Sequence, residues 1–296
     1  MITVLKFIQN HPLNKGTGFG ALSRYFRWQL ATRTLNLPVI IHFVNDTRLV
    51  AERGVTVGPG NYYVGLLEYE VMAFTLHYLR PEDLFIDVGA NIGAFTVLAG
   101  GVIGASCVSI EPIPQTYQRL LDNININHIS DHVVTINAGL GDKIGKLRFT
   151  SAYDSVNHVM MEAEISENNV EVDITTLDCI TKEHMPEMIK IDVEGFESKV
   201  VAGGECTLSR KDGPNAILME LRGHGSRYGF SEKEVHEKML QYGYKPFVYD
   251  PKRRELDAWQ CNEADKLGDM IYIRDDRKAK GRLKDAPAFH VLDQSL

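Results

Sequence analysis

Asp87, Gly89, Asn91 and Gly93 fall at every second position of LFIDVGANIGAFTVLAG, residues 84–100. A run of apolar β-formers ends on Asp87, and apolar residues resume at helical spacing after Gly93, so the segment predicts a strand, a tight turn and a helix start. Gly89 suits the sharp turn, and Gly93 lets the helix start lie close to a sheet or ligand. Glu111 closes the next apolar run, CVSIEP (107–112). An acid at that place accepts hydrogen bonds from ribose hydroxyls. A pyrophosphate-binding turn needs three glycines as GxGxxG. The frame here is DxGxNxG, and Asp87 puts negative charge where a pyrophosphate wants none. A cationic, ribose-bearing ligand fits better. S-adenosylmethionine (SAM) carries an ammonium, a sulfonium and a ribose. Asp87 would hold the amino group directly or through water, and amides around Asn91 and Gly93 the carboxylate. NAD is the weaker reading.

A second group suits proton transfer. In MIKIDVEGFE (188–197), Lys190 and Asp192 share one strand face by the period of two, Glu194 follows in the loop, and Glu197 falls in the first helical turn. Asp192 or Glu194 is the candidate general base for an acceptor oxygen, with Lys190 setting its charge state. A buried Lys190–Asp192 pair that only orients the loop is the alternative. In MELRGHGSRYG (219–229), Glu220 ends a strand, and Arg222, His224, Arg227 and Tyr228 follow on a glycine-rich loop. His224 is a second candidate base, because imidazole titrates near neutrality. Glu220, Arg222, Arg227 and Tyr228 are the candidate acceptor contacts. Asp192, Glu194, Glu220 and His224 offer ligand types that permit a divalent metal. No spacing enforces one, and no metal ligand is assigned.

The elements that must position these groups alternate. Apolar strands near 84–89, 107–112, 133–140, 188–195, 216–223, 245–250 and 269–276 are separated by helical patterns at 66–79, 93–103, 114–128, 196–209 and 231–244. That is the signature of an α/β fold, a mostly parallel sheet covered on both faces. KLRFTS and VEVDITTLD interrupt it as an added hairpin or edge strands. Ligands of such sheets sit beyond the carboxyl ends of the strands. The strand-end sets are 87–93, Glu111–Pro112, 137–142 with Asp142, 192–195 and 220–223.

The chain has 296 residues, 44% apolar and 24% charged, enough for a large buried core. No apolar run reaches the length of a membrane span, and the N-terminus predicts neither signal peptide nor anchor. Cys107, Cys179, Cys206 and Cys261 lie far apart, which points to a reducing compartment, the cytoplasm. The net charge of −7 gives no overall attraction to nucleic acid. Residues 1–60 nevertheless carry seven basic residues against two acidic ones, a net +5 that leaves −12 for the remainder. The segment reads either as a patch for an anionic glycan, lipid or nucleic acid or, preferably, as an extension lying across an acidic main domain. The expected organisation is a basic extension (1–60), the α/β domain (61–276) and a charged, solvated tail (277–296). Oligomeric state is left open, with a homodimer among the alternatives.

FIDVGANIGAFT, SIEPIPQTY, TTLDCI, IKIDVEGFESKVVAGG and ILMELRG together resemble the FkbM family of SAM-dependent methyltransferases over about residues 60–225. The resemblance implies the Rossmann-like class I methyltransferase fold, a seven-stranded sheet with one antiparallel strand. It implies O-methylation of a sugar, glycan or related hydroxylated metabolite. It also implies an acid upstream of the glycine turn, matched by Glu70 in LEYE. The expected cofactor residues are then Glu70, Asp87, Gly89, Ala90, Asn91, Gly93, Thr96, Glu111, Pro112 and Asp142. A SAM-binding regulator without catalysis and an NAD-dependent sugar enzyme are the rival classes.

Overall fold

The computed structural model describes residues 2–15, 18–34, 37–151, 157–161, 164, 168–260 and 267–296. Cys261 lies outside them. An N-terminal layer comes first: helices α1 (Ile2–Asn10) and α2 (Gly18–Thr34), the antiparallel pair β1 (Val39–His42) and β2 (Arg48–Ala51), and α3 (Val57–Val64). Then follow α4 (Tyr69–Tyr78), β3 (Leu84–Val88), the short α5 (Ala94–Thr96) continuing as a π-helical stretch (Val97–Ile103), β4 (Ser106–Ile110), α6 (Pro114–Ile126) and β5 (Val133–Ile136). β6 (Gly139–Leu140), β7 (Gly145–Thr150) and β8 (Asn169–Thr175) form a separate three-stranded sheet. The chain returns through α7 (Leu177–Ile180), β9 (Met188–Ile191), α8 (Glu197–Ala202), α9 (Glu205–Ser209) and β10 (Ala216–Leu221). It ends with α10 (Glu232–Gln241), β11 (Lys245–Asp250), β12 (Glu255–Ala258), β13 (Gly268–Ile273), α11 (Asp276–Lys284) and the small hairpin β14 (His290–Val291) and β15 (Gln294–Ser295).

The main sheet has the order β12-β11-β13-β10-β9-β3-β4-β5. β5, β4, β3, β9 and β10 are parallel, and β13 runs antiparallel to both β10 and β11. The expected seven strands with one reversed are therefore present. An eighth, β12, is added at the edge by a hairpin from β11, which its short, largely polar sequence hides from periodicity. The two interruptions at KLRFTS and VEVDITTLD pair antiparallel as β7 and β8. The single expected helix over 196–209 is two, parted at Gly203–Gly204.

Alternation along the strands sorts the core. Phe85, Met188, Ala216 and Leu218 face one apolar cluster, shared with α4 and the N-terminal layer. Ile86, Val88, Ile189, Ile191, Ile217, Met219 and Leu221 face another, shared with α8 and α10. By the period of two, Asp87, Lys190 and Glu220 join the first face. Ladder register makes Asp87 and Lys190 direct neighbours. Local signals set the helix starts: Pro114 in the first turn of α6, a Ser231–Glu234 capping box on α10, and Asp275 accepting from two amides at α11.

The charged C-terminal segment is not a solvated tail. Ala279, Leu283, Phe289 and Val291 are buried, and Arg282 bridges to Asp83. Asn45 N–H donates to His290 O, so the C-terminal hairpin is held against the N-terminal layer. The N-terminal layer packs on the elements that follow: Tyr25 and Trp28 are buried in the apolar cluster shared with α4, Val50 N–H donates to Asn123 Oδ1, and Arg119 bridges to Glu52.

Candidate active site

A cavity of about 390 Å³ opens over the carboxyl ends of β3, β4, β9 and β10. One wall is the glycine turn. Gly89 has φ +75, and a Cβ there would stand 1.9 Å from Asp192 O, so only glycine lets this turn close onto the start of the next loop. Gly89 and Ala90 amides donate to Ile110 O, tying the turn to β4. Glu111 is buried beneath it. Its Oε2 accepts from Asn91 N–H at 3.0 Å and its Oε1 from Ile113 N–H at 2.9 Å. Burial nevertheless pushes this carboxyl up to about 7, against those two hydrogen bonds. Asp87 is fully buried, accepts from the Thr96 hydroxyl at 2.8 Å through Oδ2, and leaves Oδ1 without a partner.

The opposite wall carries the charged group. Lys190 Nζ lies 2.7 Å from Asp192 Oδ2 and 4.9 Å from the centre of the Phe95 ring. Burial disfavours charge on Asp192, but Lys190, the Glu220 hydrogen bond and Arg222 together outweigh it and hold the carboxyl below its usual range. Glu220 goes the other way. Burial and then the Asp192 charge push it up to about 10, so near neutrality it keeps its proton and donates it toward Asp192. Glu194 Oε2 lies 2.8 Å from His224 Nδ1, and burial raises the Glu194 carboxyl despite that partner. Arg222 spans Glu220 at 2.7 Å and Asp269 at 2.6 Å. Asp192, Glu194 and Glu220 each bring a carboxyl oxygen within 4.8 Å of the others, a crowding relieved by the Glu220 proton and by Lys190 and Arg222.

Backbone geometry aims this wall. Glu194 itself adopts φ +55, an uncommon conformation for a side-chain-bearing residue, and Gly195 follows at φ +103. A Cβ on Gly195 would meet the His224 backbone at 2.6 Å. The 192–195 loop and the 222–228 loop are therefore in backbone contact, which brings Glu194 to His224. Glu197 accepts from Val193 and Gly195 amides, so it shapes the loop from below.

Of the residues singled out from sequence, Gly89, Ala90, Asn91, Glu111, Pro112, Lys190, Asp192, Glu194, Glu220, Arg222 and His224 line the cavity. Asp87, Gly93 and Thr96 lie behind the turn and support it. Four stand apart. Asp142 pairs with Lys199 on the surface. Arg227 is exposed. Tyr228 turns its hydroxyl to Val159 O and its ring to Phe196. Glu70 is exposed in the first turn of α4, while Glu68 lines the cavity. Two positions along a helix point nearly opposite ways, and LEYE offers an acid at each. Burial pushes Glu68 up to about 7, partly offset by Lys190. Sequence reasoning also missed Phe7, Thr56 and Val57 from the N-terminal layer, Phe149 of β7 and Val159 between β7 and β8, all in the lining. None carries a local signal, because each reaches the cavity by tertiary packing.

Strand order, a single reversed strand in the central seven and a cavity over the carboxyl ends define a Rossmann-like methyltransferase fold. The Methyltransferase FkbM domain matches residues 87–246, more than half of the chain. The chain belongs to the FkbM methyltransferase family. It is 26% identical over 158 residues to the hexuronic acid methyltransferase AglP of Haloferax volcanii, a match that covers 52% of this chain and 62% of that protein. Solved structures resemble it at low identity. A precorrin-6y C5,15-methyltransferase from Geobacter metallireducens is 11% identical with TM-score 0.40, over 70% of this chain and 86% of that one. Pyrococcus horikoshii TYW2 in complex with MeSAdo is 12% identical with TM-score 0.40, over 80% of this chain and 70% of that one. Among the described residues no helix is long and apolar enough to cross a membrane.

Proposed function

We propose that the protein is a SAM-dependent O-methyltransferase whose acceptor is a hydroxyl of a sugar or a related hydroxylated molecule. The supporting observation is the pairing of two walls across one cavity: the glycine turn with Glu111, and the Lys190–Asp192–Glu194–Glu220–His224 group. The first wall fits the cofactor. Each Glu111 oxygen accepts one amide and keeps a further acceptor position for a ribose hydroxyl. The unpartnered Asp87 Oδ1 is a buried acceptor that suits an ammonium group, directly or through water. SAM supplies an electrophilic methyl group on a sulfonium.

The second wall supplies what an alcohol acceptor needs. Asp192, held ionised by Lys190, accepts a hydrogen bond from the acceptor and orients it. Glu194 has raised proton affinity and His224 against its carboxylate. That pair takes the hydroxyl proton, which is worth about 10²–10⁴-fold in rate. Alignment and exclusion of water contribute the rest. Arg222, half exposed at the mouth, offers a cation to an acidic sugar, in keeping with the named substrate of the Haloferax volcanii relative.

The test is methyl transfer from labelled SAM to a panel of hexoses, uronic acids and oligosaccharides, read by mass. Transfer only to amines or protein side chains would sink the proposal. With an acceptor in hand, Glu194→Gln and His224→Asn should each lower kcat by roughly 10²-fold or more with SAM affinity nearly intact. Full turnover in both would leave alignment alone as the driving factor.

A further inference from the structure

α2 has two apolar faces. Ala21, Tyr25, Trp28 and Thr32 are buried at helical spacing against the core. Roughly 160° round the helix, by its 3.6-residue turn, Phe19, Phe26 and Leu30 are 89%, 58% and 68% exposed. Leu37 and Ile40, in the chain that follows, are also exposed. Isolated apolar side chains on a surface need no explanation, but three large ones aligned on one helix face form a continuous strip. Exposed Arg27 and Arg33 flank that strip on its two sides. The first acidic residue of the chain is Asp46, and five basic residues precede it.

We propose that this face seats α2 in the plane of an anionic lipid surface, with Phe19, Phe26 and Leu30 at the headgroup boundary and Arg27 and Arg33 among the headgroups. An apolar strip edged by arginines and free of acids is the chemistry of an interfacial helix, since the long basic stems lie along apolar surface while their charges stay in water. Charge decides against a second copy. Two such faces packed together would oppose arginine to arginine, with no carboxylate in either strip to pair with them. Charge also sets the orientation. The N-terminal segment is positive and the remainder is net acidic, so an anionic surface attracts one end of the molecule and repels the body. Phe7 of α1 lines the cavity, and α1 packs on α2. The layer that meets the lipid is thus also a wall of the active site. The docking does not depend on the identity of the acceptor.

The experiment is co-sedimentation of the full chain with vesicles of phosphatidylcholine alone and of phosphatidylcholine mixed with phosphatidylglycerol. Binding to the mixed vesicles should be stronger by roughly tenfold and released by salt. Phe26→Ser with Leu30→Ser, and separately Arg27→Glu with Arg33→Glu, should each reduce it by roughly tenfold. Both pairs are exposed, so thermal unfolding should stay where it is. Should the apolar pair unfold the chain, the arginine pair and the salt release carry the test. No binding to the mixed vesicles, or binding that survives both substitutions, overturns the proposal. So does a dimer in light scattering that Phe26→Ser with Leu30→Ser dissociates, which would assign the face to a second copy.

Discussion

If the cavity takes SAM as proposed, Glu111 should make its affinity a function of pH. Both of its oxygens already accept an amide, and only the ionised carboxylate has acceptor positions left for the two ribose hydroxyls. Burial places its titration at about 7 in the free protein. A ligand that selects the ionised form binds in proportion to the ionised fraction. That fraction is about one tenth at about pH 6 and about nine tenths at about pH 8, so affinity should fall roughly tenfold, or about 1.4 kcal/mol, over that interval. The sign follows from the direction of the shift: lowering pH protonates the group, and binding must then release that proton. Glu111→Gln keeps the shape but brings an amide NH₂ to face the Asn91 or Ile113 N–H. It should cost about 1–3 kcal/mol of binding, roughly 5- to 150-fold, and flatten the pH dependence. Calorimetric titration with SAM at three pH values, in two buffers of different ionisation enthalpy, reads both affinity and proton release. Affinity unchanged with pH in the unsubstituted protein would refute the assignment. If Glu111→Gln weakens binding but keeps the full pH dependence, the titrating group is another carboxyl, and Glu68, pushed up to about 7, is next in line.

Two further outcomes test the scaffold. Gly89→Ala puts a methyl group 1.9 Å from Asp192 O at a positive φ, and urea denaturation should show a loss of about 3 kcal/mol or more, with SAM binding abolished. A variant that binds SAM normally would mean the turn is looser than its geometry. Lys190→Met strands Asp192 and Asp87 without their cation and should cost about 3–5 kcal/mol at about pH 8. Asp192 would then titrate above its unfolded value, and Asp87, which burial already raises, higher still, so the deficit should shrink as pH falls and they protonate. An equal deficit at acid pH would show that Lys190 acts by packing on Phe95 rather than by charge.

Local chemistry carried much of this protein into its sequence. The turn at 87–93 is legible because a strand that gives way to a helix within a few residues favours glycine at positive φ, although the contact that admits no Cβ at Gly89 comes from Asp192. Glu111 is legible because it closes the next strand, and parallel strands in register bring their carboxyl ends to one edge. The same logic brought Asp192 to the glycine turn, since β9 runs alongside β3 with Lys190 opposite Asp87. Three things were decided only by the tertiary structure. Glu68 rather than Glu70 faces the cavity because the docking of α4 fixes which side of its N-terminus turns inward. Glu194 reaches His224 because two loops from different strands meet at Gly195, a contact thirty residues apart that no local pattern encodes. The charged C-terminal segment, polar enough to read as solvated, packs as α11 because a few apolar residues find α4 and Arg282 finds Asp83. Periodicity and turn chemistry report what each residue asks of its neighbours in the chain. Which face is buried, and which distant carboxylate meets which cation, is a property of packing and of the charge it excludes from water.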